Sequence, residues 1–155
     1  MRTSERDREL LRRAIDLAGE AGEAGNRPFG SVIAVDGIAV AEGRNQVGAS
    51  GDITAHAELV ALRRAIDDGY AERLAGATVY ASGEPCPMCA AACVWAGVGR
   101  IVFAASTAAF TAVLPGGPHF GSSCAEVIAS SDASIDVDGP LLEDEALDVM
   151  AGFAD

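Results

Sequence analysis

The chain contains no lysine. All eleven of its basic residues are arginine, against 23 Asp and Glu, which leaves a formal charge of −12 over 155 residues. Affinity for a phosphate backbone comes largely from Lys and Arg neutralising phosphates, so this balance argues against nucleic acid and fits a small, neutral partner. Long apolar runs are absent too. None approaches the roughly 18 residues needed to cross a bilayer. The first nine residues, Met1-Arg2-Thr3-Ser4-Glu5-Arg6-Asp7-Arg8-Glu9, carry both signs of charge and lack the apolar centre of a secretory signal. A cytoplasmic protein that does not engage membranes is expected. Only four cysteines are present. A chain of this length buries roughly 70% of the surface it would expose unfolded, so it needs no disulfide staples, and the cysteine count agrees with a reducing compartment. No internal repeat, low-complexity tract or linker interrupts residues 1–155, which read as a single domain.

What the chain does have is concentrated in two short stretches, Thr54-Ala55-His56-Ala57-Glu58 and Gly83-Glu84-Pro85-Cys86-Pro87-Met88-Cys89. His56, Cys86 and Cys89 are the residue types that hold Zn²⁺ with one coordination position left open, where the metal lowers the pKa of a water towards ~7. Thiolates bind zinc far better than thiols, and a helix N-terminus favours negative charge. Pro87 suits the first turn of a helix, where its missing N–H has no intrahelical partner anyway. Cys86 is therefore expected at a helix mouth, with Cys89 one turn on. Glu58 follows two residues after His56, and at a helix start both can line one cavity. It is expected to carry protons rather than bind metal.

Simpler readings compete with this one. A C-x-x-C pair alone serves as a redox disulfide or as half of a structural zinc site. A structural site needs a fourth protein ligand, for which Cys93, Cys124 and His119 are the spare candidates. A silent zinc domain acting as a binding module is the corresponding non-enzymatic hypothesis, and Glu58 speaks against it, because a structural ion has no use for a proton carrier.

The H-x-E…P-C-x-x-C pattern is that of the zinc-dependent nucleobase deaminases. The chain resembles the cytidine deaminase-like superfamily. Within it, Pro28-Phe29-Gly30, Asn45, Thr54 to Glu58, and Glu84 to Cys89 followed by Trp95-Ala96 look most like bacterial guanine deaminases. The resemblance covers roughly residues 10 to 105. It implies a three-layer α-β-α fold around a mixed five-stranded sheet, and a hydrolytic deamination of a free nucleobase or related heterocycle. It further implies Phe29 stacked on the base, Asn45 on its polar edge, Trp95 lining the pocket, and backbone donors near Ala57 and Cys86. A homodimer, with an exchanged C-terminal segment, is implied as well. For Phe29 and Trp95 the competing role is core packing, and for Asn45 an Asx-turn. Glu84 reads as a structural loop acid.

The chain also departs from that pattern. Resembling guanine deaminases carry an acidic segment after the fourth strand that contacts the purine, whereas residues 104–121 contain no Asp or Glu. His119 and Glu126 are the nearest polar candidates to replace it. Another aminopurine, a modified base or an amino-triazine therefore stands beside guanine as a substrate. Cytosine deamination and tRNA adenosine deamination are the alternatives, the latter opposed by the absence of a basic patch.

Periodicity supplies the rest. Ser4 is expected to cap a first helix with an apolar stripe from Leu10 to Ala18, ended by Gly19, Gly22 and Gly25. A hairpin over Phe29–Val35 and Ile38–Glu42 follows, turned by Asp36-Gly37. Thr54 is expected to cap a second helix closed by Asp67-Asp68-Gly69, with Arg63 and Arg64 on a solvated face. A strand at Thr78–Ala81, a buried apolar helix at Pro87–Trp95 and a strand at Ile101–Ala104 come next. After them lie a short helix or ordered loop at Thr107–Leu114, a turn or lid at Pro115–Pro118 and helical character at Ser122–Ser130. Ile135–Val137 reads as a fifth strand and Leu141–Phe153 as a terminal amphipathic helix.

Overall fold

Ser4 and Asp7 open the first helix by capping each other: the Asp7 N–H donates to the Ser4 hydroxyl at 3.1 Å, and the Ser4 N–H returns a bond to the Asp7 carboxylate at 2.7 Å. Such a box satisfies two donors that a helix start leaves orphaned. The computed structural model describes residues 3–154, so Met1 and Arg2 of the charged N-terminal stretch, and Asp155, lie outside the described residues. Helix α1 (Glu5–Glu23) buries Leu10, Leu11, Ala14, Ile15, Leu17 and Ala18, the stripe the spacing predicts. Its end differs from expectation. Gly19 and Gly22 lie inside the helix, and the chain turns only at Gly25, where φ is +85°. Gly22 sits under the Phe153 ring, which a Cβ would meet at 2.6 Å, so the glycine serves close packing of the C-terminal segment rather than termination.

Strands β1 (Gly30–Val35) and β2 (Ile38–Arg44) form the expected hairpin. Asp36 and Gly37 both take positive φ at its turn, as tight two-residue hairpins require. A single helical turn, α2 (Val47–Ser50), follows the hairpin. Helix α3 (Ala57–Asp67) begins two residues later than its expected cap. His56 is the N-cap residue, while the Thr54 hydroxyl donates to Asp52 and accepts from Arg63. Strand β3 (Thr78–Gly83), helix α4 (Pro87–Ala96) and strand β4 (Arg100–Ala105) follow. The remaining elements are helices α5 (Thr107–Val113) and α6 (Cys124–Ala129), strand β5 (Asp136–Asp138) and helix α7 (Glu143–Ala151).

The five strands form one sheet in the order β2-β1-β3-β4-β5. Pairings at β1 are antiparallel, and β3-β4 and β4-β5 are parallel. Alternating side chains feed two apolar layers. Ile33, Val79 and Ile101 pack with Ala61, Ala65, Ala90 and Ile128 from α3, α4 and α6. Val32, Tyr80 and Val102 pack with Leu11, Ala14 and Met150 from α1 and α7 on the other face. The sheet is mixed and carries helices on both sides, as expected.

Helix α4 departs from the sequence reading. Its composition predicts full burial, yet only Cys89, Ala90 and Cys93 are buried, and Trp95 is 90% exposed. Trp95 therefore does not fill the core of the described residues. Small residues permit burial without requiring it, and Trp95 is the exposed side chain of α4.

Candidate active site

The register of the sheet brings four loop-facing positions into one row. Beyond the Gly30–Arg44 pair, the Asn45 N–H donates to the Phe29 carbonyl at 3.0 Å. Phe29 in turn lies against Gly83, where a Cβ would meet the ring at 2.7 Å, and Gly83 pairs with Ala105. Asn45, Phe29, Gly83 and Ala105 thus stand at the end of the sheet from which the Cys86 loop departs. One further glycine contact fixes a helix over it. Gly43 of β2 has no room for a Cβ beneath the Ala57 carbonyl and Ala61, so α3 rests directly on the strand.

That seating places the start of α3 opposite the start of α4. His56 is the N-cap of the one and Cys86 of the other, with Pro87 at the first helical position and Cys89 within the first turn. The His56 Nδ1 is 3.6 Å from both the Cys86 Sγ and the Cys89 Sγ. A tetrahedral zinc ion with Zn–N of about 2.05 Å and Zn–S of about 2.3 Å spans an N···S edge of about 3.6 Å, so the donor set fits the ion. The three ligand atoms lie within 4.8 Å of one another, and among the described residues no fourth His, Cys, Asp or Glu joins them. The structural-zinc reading loses its candidates accordingly. Cys93 and Cys124 are buried but outside the group, and burial pushes the Cys124 thiol up to about 12. His119 is exposed in the turn after α5, with its ring against Gly117.

The charges of the site depend on one another. A hydrogen bond from Cys89, with help from His56, draws the Cys86 thiol down from its ordinary value. The bond to Cys86 raises His56, and the charge of Arg27 opposes that rise. Glu58 is 7% exposed, and burial first, then the neighbouring Cys86, push its carboxyl up to about 7. A carboxyl balanced near neutrality can both take and give a proton.

The other sequence candidates fall into distinct groups. Ala57 is fully buried at the first position of α3. Phe29 is partly buried and meets Phe110 of α5 edge-on, with centroids 5.1 Å apart. Asn45 is buried, and its Oδ1 accepts from the Val47 N–H at 3.1 Å, which is the Asx-turn reading. Its amide nitrogen makes no hydrogen bond among the described residues. Glu126 is exposed, and its carboxylate closes a capping box with Ser123 at the start of α6. Glu84 is structural as read. One oxygen accepts from the Thr107 N–H and the other from the Cys124 N–H, tying the metal loop to the starts of α5 and α6. Two residues were passed over in the sequence, Phe110 and Arg27. The arginine directly precedes the Pro28-Phe29-Gly30 motif, a position that is the only sequence signal for it.

The geometry agrees with comparison to known proteins. Guanine deaminase of Bacillus subtilis is 47% identical over 97 residues, which are 62% of this chain and 62% of that protein's length. A probable cytosine deaminase of Schizosaccharomyces pombe is 31% identical over 155 residues, 98% of this chain and 94% of that one. A solved structure of a tRNA:A34 deaminase, a wobble-position A-to-I editing enzyme, has a TM-score of 0.76 and 32% identity over 91% of this chain and 98% of its own. Residues 4–105 match the model of the cytidine and deoxycytidylate deaminase zinc-binding region, and the chain belongs to that family of zinc-binding deaminases.

Proposed function

We propose that the chain is a hydrolytic deaminase of a free amino-heterocycle, with a guanine-like purine as the favoured class and an amino-triazine or modified base within reach. The observation that carries this reading is the buried Glu58 carboxyl beside a three-ligand group that no fourth side chain among the described residues completes. His56, Cys86 and Cys89 would hold zinc, whose Lewis acidity brings water to nucleophilic strength near neutral pH.

The chain's own residues do the remaining work. Glu58 takes a proton from the water that adds to the ring carbon bearing the exocyclic amine, and passes it to the adjacent ring nitrogen. It then protonates the departing amine, so that carbon–amine and water become carbonyl and ammonia. The first N–H groups of α3 and the Cys86 N–H have no intrahelical acceptor and are the donors available to the charge that develops. Phe29 supplies a face for the ring, and the Asn45 amide nitrogen a donor for its edge.

Support for a purine comes from the 47% identity to guanine deaminase. Deamination of cytosine is the second reading, favoured by similarity that runs nearly the length of the fission-yeast protein. A tRNA substrate is disfavoured by charge. Arg6, Arg12, Arg13, Arg44, Arg63, Arg73 and Arg100 are all engaged with carboxylates, which leaves few cations for phosphates in a chain of charge −12. We also infer a homodimer built on the uncovered face of α4 around Trp95.

Ammonia release from guanine, isoguanine, cytosine, adenine and ammeline tests the substrate. Turnover of the guanine-like bases supports the first reading, turnover of cytosine alone the second. A salt-dependent shift of tRNA in a gel would instead favour the editing reading.

A further inference from the structure

The reaction as described leaves one cation at the site without a task. Arg27 is exposed, and its guanidinium carbon lies 5.9 Å from the centroid of the Phe29 ring. Its Nη1 donates to the Pro115 carbonyl at 3.1 Å, and a Cβ on Gly116 would come within 3.4 Å of the same nitrogen. Arg27 thus bridges the aromatic platform and the Pro115–Pro118 turn.

Three features indicate what it is there to bind. First, among the described residues Arg27 has no carboxylate within ion-pair distance, although the chain carries 23 Asp and Glu. A guanidinium presents five N–H donors, and a single bond to Pro115 leaves most of them unused. Second, the Asn45 oxygen already accepts from the Val47 N–H, so its amide N–H groups are the less engaged side of that residue. Third, residues 104–121 contain no Asp or Glu, so the wall that follows β4 supplies no carboxylate to accept from an exocyclic amine. A mouth lined with donors selects a ligand edge made of acceptors, because donor facing donor leaves both unpaired.

We infer that Arg27 is a specificity-determining residue that takes the oxo oxygen of the substrate, so that the site prefers oxo-substituted amino-heterocycles over their diamino isosteres. This assignment rests on the reading of the site as a heterocycle deaminase.

Matched pairs carry the test: guanine against 2,6-diaminopurine, and ammeline against melamine, exchange an oxo oxygen and a ring N–H for an amine and a bare ring nitrogen, so the part of the gap that Arg27 controls is what is scored. Binding is measured by equilibrium dialysis on zinc-loaded Glu58→Gln protein, in which bound base persists. The oxo member of each pair is expected to bind at least about tenfold tighter, as a charge-assisted bond to a partly solvated group allows. Arg27→Ala should close that gap and leave the diamino member within about twofold of its former affinity, while Arg27→Lys, which keeps the charge, restores part of it. Arg27→Gln gives a second neutral variant should the alanine form fold poorly. A gap that survives both neutral variants, equal weakening of both members, or no binding of any of the four overturns the assignment. Ammonia release by the wild-type enzyme is scored separately. Its absence, with the Arg27-dependent gap intact, would overturn the deaminase reading and leave the binding assignment standing.

Discussion

The Tyr80 hydroxyl donates to the Asp7 carboxylate over 2.6 Å, joining the third strand to the first turn of the first helix. The same carboxylate accepts from Arg100 at 2.8 Å, and Arg100 also donates to Asp138 of β5 at 2.8 Å. This clamp sits at the opposite end of β3 and β4 from the metal loop, so the sheet is pinned at one end and does its chemistry at the other.

Acid sensitivity follows from the clamp. Burial alone would raise the Asp7 carboxyl, but bonds from Arg100, Tyr80 and the Ser4 N–H outweigh it and hold the group well below the usual carboxylate range. A depressed folded-state pKa contributes stability that is complete above the unfolded value near 4 and is lost as pH falls through the folded one. Unfolding in denaturant should therefore become easier below about pH 4, by about 2–3 kcal/mol from this group. Asp7→Asn should flatten that acid limb. Arg100→Ala should cost more at neutral pH, about 3 kcal/mol, because it strands a buried charge.

Metal removal is the second test. Cys86→Ala leaves His56 and Cys89 as a pair too poor to retain zinc. Emission spectroscopy should find little metal in the purified variant, and its melting temperature should fall by several degrees. Full zinc content in this variant would mean that the ion is held elsewhere.

Much of this site is legible in the sequence because its chemistry is local. His56 and Glu58 are two residues apart, Cys86 and Cys89 three, and Pro87 marks the helix start between them. The Ser4 cap and the Asp36-Gly37 turn are equally local. The readings that needed correction turn on which partner a residue meets, whether near or distant in the chain. Gly22 looks like a helix stop until Phe153 is seen lying on it. Thr54 looks like a cap, but its hydroxyl is held by Asp52 and Arg63. Composition says that α4 is apolar and cannot say which of its faces is covered. Glu126 and Arg27 illustrate the same limit at the site, since a side chain's local bonds decide whether it is free to meet a ligand.

Gly83 supplies the third prediction. A methyl group there would collide with the Phe29 ring and approach Phe110 to 3.2 Å. Gly83→Ala should displace the aromatic platform without touching a metal ligand. The expected result is a rise in KM of about tenfold or more with zinc content unchanged, as misplacement of a positioning group costs productive binding.

The exposed Trp95 supplies the fourth. If the α4 face joins two copies, Trp95→Glu should shift the sedimenting species from dimer to monomer, because a charge replaces a large apolar side chain at the contact. A wild-type protein that sediments as a monomer at micromolar concentration contradicts the dimer.

The most direct measurement compares ammonia release by the zinc-loaded wild-type protein and by Glu58→Gln over the same panel of bases. The wild type should deaminate at least one base, and the variant should keep its zinc while slowing by about 10²–10⁴-fold, the usual size of a general acid–base contribution. A variant that turns over at near wild-type rate with its zinc in place would contradict the assignment of Glu58 as proton carrier, and with it the account of the site.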